Sequence, residues 1–130
     1  DAIAESEGTG PEVGEQSTHE HNIKVMKIVD EYVQQHLEDE SLNVEKLAEI
    51  AYVSVSSLFK KMKATIGVSP NEFIMISRLK KATDLLKDES LSIEQVSIMV
   101  GFRSHAYFST CFKKQFGISP SLYREKINQK

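Results

Sequence analysis

Much of this 130-residue chain is written twice. The run Leu42-Asn43-Val44-Glu45-Lys46-Leu47-Ala48-Glu49-Ile50-Ala51 pairs, 49 positions further on, with Leu91-Ser92-Ile93-Glu94-Gln95-Val96-Ser97-Ile98-Met99-Val100. After one inserted residue, Leu58, Met62, Ile66, Gly67, Val68, Ser69, Pro70 and Phe73 pair at an offset of 50 with Phe108, Phe112, Phe116, Gly117, Ile118, Ser119, Pro120 and Tyr123. Repetition at a fixed offset marks one supersecondary unit used twice. The fold is therefore built from two copies of that unit.

Each copy reads as helices punctuated by caps. Asn43 stands before Val44 to Ala51 and Ser92 before Ile93 to Val100, and Ser92 with Gln95 forms a capping box in which side chain and backbone satisfy one another. Ser54 and Ser104 cap a second helix after a tight turn. Its apolar face is Leu58, Met62 and Ile66 in one copy and Phe108, Cys111, Phe112 and Phe116 in the other. Gly67 and Gly117 stop these helices, because glycine enters the left-handed conformation without steric penalty. Ser69-Pro70-Asn71-Glu72 then starts a long helix running to about Lys87 through Phe73, Ile76, Leu79, Ala82, Leu85 and Leu86, and Ser119-Pro120 starts another. No stretch alternates like a strand. The expected fold is all-α, about seven helices forming two helix-turn-helix subdomains joined by a long linker helix.

Before the repeats, residues 1–21 combine Gly8, Gly10, Pro11 and Gly14 with acids and small polar residues, and read as a flexible acidic linker. The double helix-turn-helix domain is expected over 22–130, with the first unit at about 42–70, the linker helix at about 70–87 and the second unit at about 91–127. A first helix is expected from Asn22 to near Leu37, with Ile23, Met26, Val29 or Asp30, Val33 and Leu37 on its apolar stripe. The start at Asp1, without an initiator Met or leader, reads as a piece of a longer chain with an upstream regulatory or receiver domain. The single Cys111 cannot form an internal disulfide, and no apolar run is long enough to span a bilayer. A cytoplasmic setting without membrane contact fits best.

Net charge is -3, which alone argues against a nucleic-acid partner. The charge is unevenly spread. Six of the 19 acids lie in the first 21 residues, which hold no Lys or Arg, so 16 bases face 13 acids over the rest. A double-stranded DNA reading must rest on where those bases sit.

In a helix-turn-helix the second helix enters the major groove. With Leu58 and Met62 inward, the outward side of that helix carries Ser56, Phe59, Lys60 and Lys63. With Phe108 and Phe112 inward, the equivalent side carries Ala106, Ser109, Thr110 and Lys113. Small side chains permit close approach, hydroxyls and ammoniums bond base edges or phosphates, and Phe59 suits a thymine methyl. Neither helix, Val55 to Ile66 or His105 to Phe116, contains an acid, whereas an ordinary solvated face mixes signs.

The stretch Val100-Gly101-Phe102-Arg103-Ser104-His105-Ala106-Tyr107-Phe108-Ser109-Thr110-Cys111-Phe112-Lys113-Lys114-Gln115-Phe116-Gly117-Ile118-Ser119-Pro120-Ser121-Leu122-Tyr123-Arg124 resembles the signature of AraC/XylS-type transcription regulators. Arg78-Leu79-Lys80-Lys81-Ala82 with Leu85-Leu86 is similar to the linker helix of that family. The resemblance covers roughly residues 22–127. It implies an activator of transcription working beside RNA polymerase, and it is strongest to regulators ending in this module, including response regulators and hybrid two-component proteins. It also implies base-reading positions at Ser56, Phe59 and Lys60 in the first unit and at His105, Ala106, Ser109 and Thr110 in the second. Two departures stand out. Lys60 and Thr110 occupy positions where Arg is frequent, removing the bidentate guanine contact that Arg favours, and Tyr52 replaces a frequent Gly in the first turn, so that turn is expected to differ from the one at Gly101.

Other residue types give less. Cys111 on an apolar face reads as a buried small hydrophobe rather than a nucleophile, and no His and carboxylate spacing supports catalysis, so no enzyme and no cofactor are expected. His19 and His21 make at most a weak metal pair. Arg103 and Tyr107 are candidates for phosphate contact, with Tyr107 equally suited to covering the core edge. A protein-interaction module that keeps the fold without binding DNA is the alternative, supported by the overall acidity and the scarcity of Arg.

Overall fold

The computed structural model describes residues 11–129 as α1 (Pro11–Gln35), α2 (Val44–Ile50), α3 (Val55–Ile66), α4 (Pro70–Leu85), α5 (Ile93–Met99), α6 (His105–Phe116) and α7 (Pro120–Ile127). Among the described residues there is no strand. The caps fall where the sequence puts them. Asn43 Oδ1 accepts from the Lys46 amide at 2.8 Å, and Ser69 with Glu72 and Ser92 with Gln95 close full capping boxes. Each such cap satisfies amides that the first turn leaves unpaired and contributes about 1 kcal/mol. Gly67 and Gly117 take positive φ of 78° and 85° to end α3 and α6.

Two cores form, one per unit. Val25, Val29, Val33 and Leu37 of the α1 segment pack on Leu47, Ala48, Leu58 and Met62. The second core is aromatic, with Phe102, Phe108 and Phe112 buried beside Val96 and Val100. Its rings meet edge to face or tilted: Phe102 and Phe108 centroids lie 5.2 Å apart, and Phe112 lies 5.5 Å from Tyr123. Truncating a fully buried Leu58 or Phe108 to Ala would remove on the order of 2 to 5 kcal/mol. Helix α4 serves both cores. Ile74 closes the first, and Leu79 and Ala82, with Leu86 just beyond the helix, close the second.

Four expectations need correction. Helix α1 takes in residues 11–21, assigned above to a flexible linker; residues 1–10 lie outside the described residues. Pro at the first helical position is pre-set for the helix, and once the packed part is formed, propagation adds a hydrogen bond for each residue fixed. The buried stripe of α1 is Asn22, Val25, Val29 and Val33, continued by Leu37 just beyond the helix, while Ile23 is 46% exposed, because the α3 contact selects the Val25 row over the Ile23 row. Ile66, expected on an inward face, is exposed at the last position of α3, where the helix runs past its core. Tyr52 does not give the first turn a different bend: its φ of 58° is left-handed, as is the 95° of Gly101.

The repeat begins before Leu42 and Leu91: Leu37 and Asp39-Glu40-Ser41 match Leu86 and Asp88-Glu89-Ser90 at the same offset of 49. In both copies the Asp accepts from the following Ser, at 2.7 Å between Asp39 and the Ser41 hydroxyl and 2.6 Å between Asp88 and the Ser90 hydroxyl. Helix α1 thus stands to the first unit as α4 stands to the second.

Candidate nucleic-acid interface

Helices α3 and α6 are held alike. Ser54 Oγ accepts from the Ser57 amide at 3.1 Å and Ser104 Oγ from the Tyr107 amide at 3.2 Å, so each helix starts at a fixed point after its turn. Leu58 and Met62 in α3, and Phe108 and Phe112 in α6, are fully buried and fix how each helix is rotated. That rotation decides which residues face outward.

In α3, Ser56, Lys60 and Lys63 are exposed. Phe59 is half-buried and packs on the first core, leaving only part of its ring for an outside contact. Lys61 points to the other side, where its Nζ donates to Asn22 Oδ1 at 3.3 Å. Lys63 Nζ stands 4.0 Å from Glu72 Oε1, an exposed pair that contributes little in water. In α6, His105, Ala106, Thr110, Lys113 and Lys114 are exposed and Ser109 is half-buried. The Thr110 hydroxyl donates to the Ala106 carbonyl at 3.0 Å, which leaves its oxygen as an acceptor and its methyl free to face outward.

Arg103 and Tyr107 behave differently from the rest. Arg103 Nε lies 3.3 Å from Glu40 Oε1, a carboxylate of the first unit. Tyr107 is 54% exposed, rests its ring against Phe102 at 6.0 Å and has its hydroxyl pKa raised by a hydrogen bond with Cys111. Cys111 is half-buried and free. His19 and His21, both exposed, lie two residues apart on α1, about 200° around the helix, so they do not converge on one ion. Among the described residues no group of three or more His, Cys, Asp or Glu could hold a metal. Among the same residues no helix is long and apolar enough to cross a membrane.

Two capped helices, each the second of a helix-turn-helix pair, presenting acid-free faces of small, hydroxylated and basic residues, define a double helix-turn-helix module. The helix-turn-helix domain family model matches residues 47–126. Over 106 residues the chain is 39% identical to histidine kinase P4 of Formosa agariphila, a match covering 82% of this chain and 7% of that protein. The C-terminal domain of AraT, a response regulator from Geobacillus stearothermophilus, superposes with a TM-score of 0.74 at 33% identity, covering 78% of this chain and 84% of the other. The DNA-binding domain of AdpA, a global transcriptional factor solved with a target DNA, gives a TM-score of 0.70 at 30% identity, covering 75% and 87%. The chain belongs to the AraC/XylS-type helix-turn-helix family of transcription regulators. It spans between 7% and 40% of the length of the first curated relatives it matches.

Proposed function

We propose that this chain is the DNA-reading module of a transcription regulator, binding one asymmetric duplex site through two adjacent major-groove segments. The observation that carries this reading is the acid-free outward face on each of α3 and α6, in a chain whose acids outnumber its bases. Ser56, Phe59 and Lys60 read bases in the first segment, and His105, Ala106, Ser109 and Thr110 in the second. Lys63, Arg103 and Lys113 hold phosphates. The module has no catalytic role and takes no cofactor. In its full-length context it works in the cytoplasm, below a regulatory or receiver domain, as an activator beside RNA polymerase; the likeness to a response-regulator domain and to a histidine kinase supports a two-component setting.

The test is selection from a random duplex library with the purified chain. Two helices entering from one side of B-DNA require segments about one turn, roughly 34 Å or 10 base pairs, apart. The selected site should show two such segments, and Lys60→Ala and Thr110→Ala should each relax preference within one of them. Lys126→Ala, on the last turn of α7, should weaken all duplexes alike if it acts at all. Enrichment of no sequence, with no duplex bound at low salt, would favour a protein-interaction module instead.

A further inference from the structure

The two turns that join each helix-turn-helix pair share a left-handed residue but differ in their surroundings. Tyr52 carries a full side chain there and is 93% exposed. Gly101 is buried, and a Cβ built on it would overlap the Leu37 carbonyl oxygen and meet Arg78 Nε at 2.8 Å. The first bend thus carries a side chain at a cost in backbone strain. At Gly101 a side chain would meet that strain and, in addition, the end of the α1 segment, seated directly on the turn of the second unit.

Arg78 holds that contact. Its Nε donates to the Leu37 carbonyl at 3.0 Å and its Nη2 to the Asp39 carbonyl at 2.7 Å, so one planar fork pairs two carbonyls beyond the α1 C-terminus. Arg124 makes the matching bonds in the second unit, to the Leu86 and Asp88 carbonyls at 2.8 and 3.1 Å. The two arginines do not occupy matching positions. Arg124 is the fifth residue of α7, and its counterpart in α4 is Ile74, which is buried in the first core. Arg78 sits one turn further along, at the ninth residue of α4, and there its guanidinium reaches both the end of α1 and the turn at Gly101.

Since α4 is shared by both cores, bending or twisting along it is the motion that would change the relation of α3 to α6. The Leu37, Arg78 and Gly101 contact ties the end of the α1 segment to the turn of the second unit, a link between the units besides the backbone of α4 itself. The exposed Arg103 and Glu40 pair beside it is too well solvated to do the same. We propose that Arg78 and Gly101 are positioning residues for DNA recognition: they touch no DNA, and they fix the separation and angle of the two reading helices. This rests on the two-segment reading above.

The test uses Arg78→Lys, which keeps the charge but not the two-carbonyl fork, and Gly101→Ala, with helicity and cooperative unfolding checked first. Each is titrated with a two-segment duplex, with each segment alone, and with the spacing changed by one base pair. Affinity for the two-segment duplex should fall by about tenfold or more towards the single-segment level, because the second contact loses its effective concentration. Single-segment affinity should stay within about twofold, and discrimination between spacings should flatten. A second readout needs no DNA: spin labels on cysteines replacing Ala64 and Gln115, with Cys111→Ser, report the distance between α3 and α6. The distance distribution should be narrow in the parent and broad with Arg78→Lys. An equally narrow distribution, or two-segment affinity and spacing preference unchanged in a folded variant, would overturn the proposal. Loss of single-segment binding in a folded variant would also overturn it. Failure of the parent to bind any duplex would reject the DNA reading, with the distance measurement still deciding whether Arg78 holds the units.

Discussion

Arg103 Nε lies 3.3 Å from Glu40 Oε1, so a guanidinium that the reading assigns to DNA phosphate is paired in the free protein with a carboxylate of the other unit. On that reading, DNA binding exchanges one anion for another at Arg103. Both side chains are largely exposed, which limits the pair to about 1 kcal/mol or less. Glu40→Gln should therefore strengthen binding at low salt by up to about fivefold, and equally for every sequence, because phosphate contacts carry no base information. Anisotropy titrations on selected and mixed duplexes measure this. Unchanged or weaker binding would show that Arg103 does not serve phosphate.

Tyr52 sits at a φ of 58° with its side chain 93% exposed. A non-glycine residue held left-handed is strained by about 1 to 2 kcal/mol, and Tyr52 has little buried contact to offset that. Tyr52→Gly removes the strain but frees the unfolded chain, so the net gain should be up to about 1 kcal/mol. A higher urea midpoint with an unchanged slope is the expected outcome. A lower midpoint would mean that the tyrosine ring makes a stabilising contact.

Three exposed carboxylates are held below their ordinary pKa. Hydrogen bonds from the Ser41 hydroxyl and then its amide lower Asp39, the matching bonds from Ser90 lower Asp88, and the Ser69 amide and then its hydroxyl lower Glu72. A depressed carboxyl pKa adds stability that is fully present above the unfolded value and is lost as pH falls through the lower folded value. Stability from these groups should therefore hold above the ordinary 4.5 of Glu72 and drain away below the ordinary 3.8 of the two aspartates. Urea unfolding at a series of acidic pH values checks this. The double change Asp39→Asn and Asp88→Asn should flatten the acid limb, and an unaltered limb would rule out the Asp to Ser turns as its source.

The helix starts and stops were legible because caps are local chemistry: Asn43, Ser54, Ser69, Ser92, Ser104 and Ser119 act within three residues of themselves. The inward residues Leu58, Met62, Phe108 and Phe112 followed from helical spacing. Contacts between distant segments were less accessible. Nothing in the spacing of Arg103 announces Glu40, and nothing around Gly101 announces the Leu37 carbonyl, since both are products of how α4 sets one unit on the other. The repeated Asp-Glu-Ser-Leu segment was readable and would have marked α1 as part of the first unit. The half-burial of Phe59 was not, because a helical wheel gives direction and says nothing of what stands beside it.

Lys60 as a base reader, with Lys63 and Lys113 as phosphate contacts, is expected to bring the acid-free faces of α3 and α6 to duplex DNA. The most direct test of this is the salt dependence of binding, measured by fluorescence anisotropy on the selected duplex. Each phosphate neutralised releases condensed counterions, so the logarithm of the association constant should fall linearly with that of the salt concentration, with a slope of roughly -0.9 per contact. Alanine at Lys63 or at Lys113, the lysines assigned to phosphate, should reduce the steepness by about one. An affinity insensitive to salt, or a slope that these substitutions leave unchanged, would contradict the account.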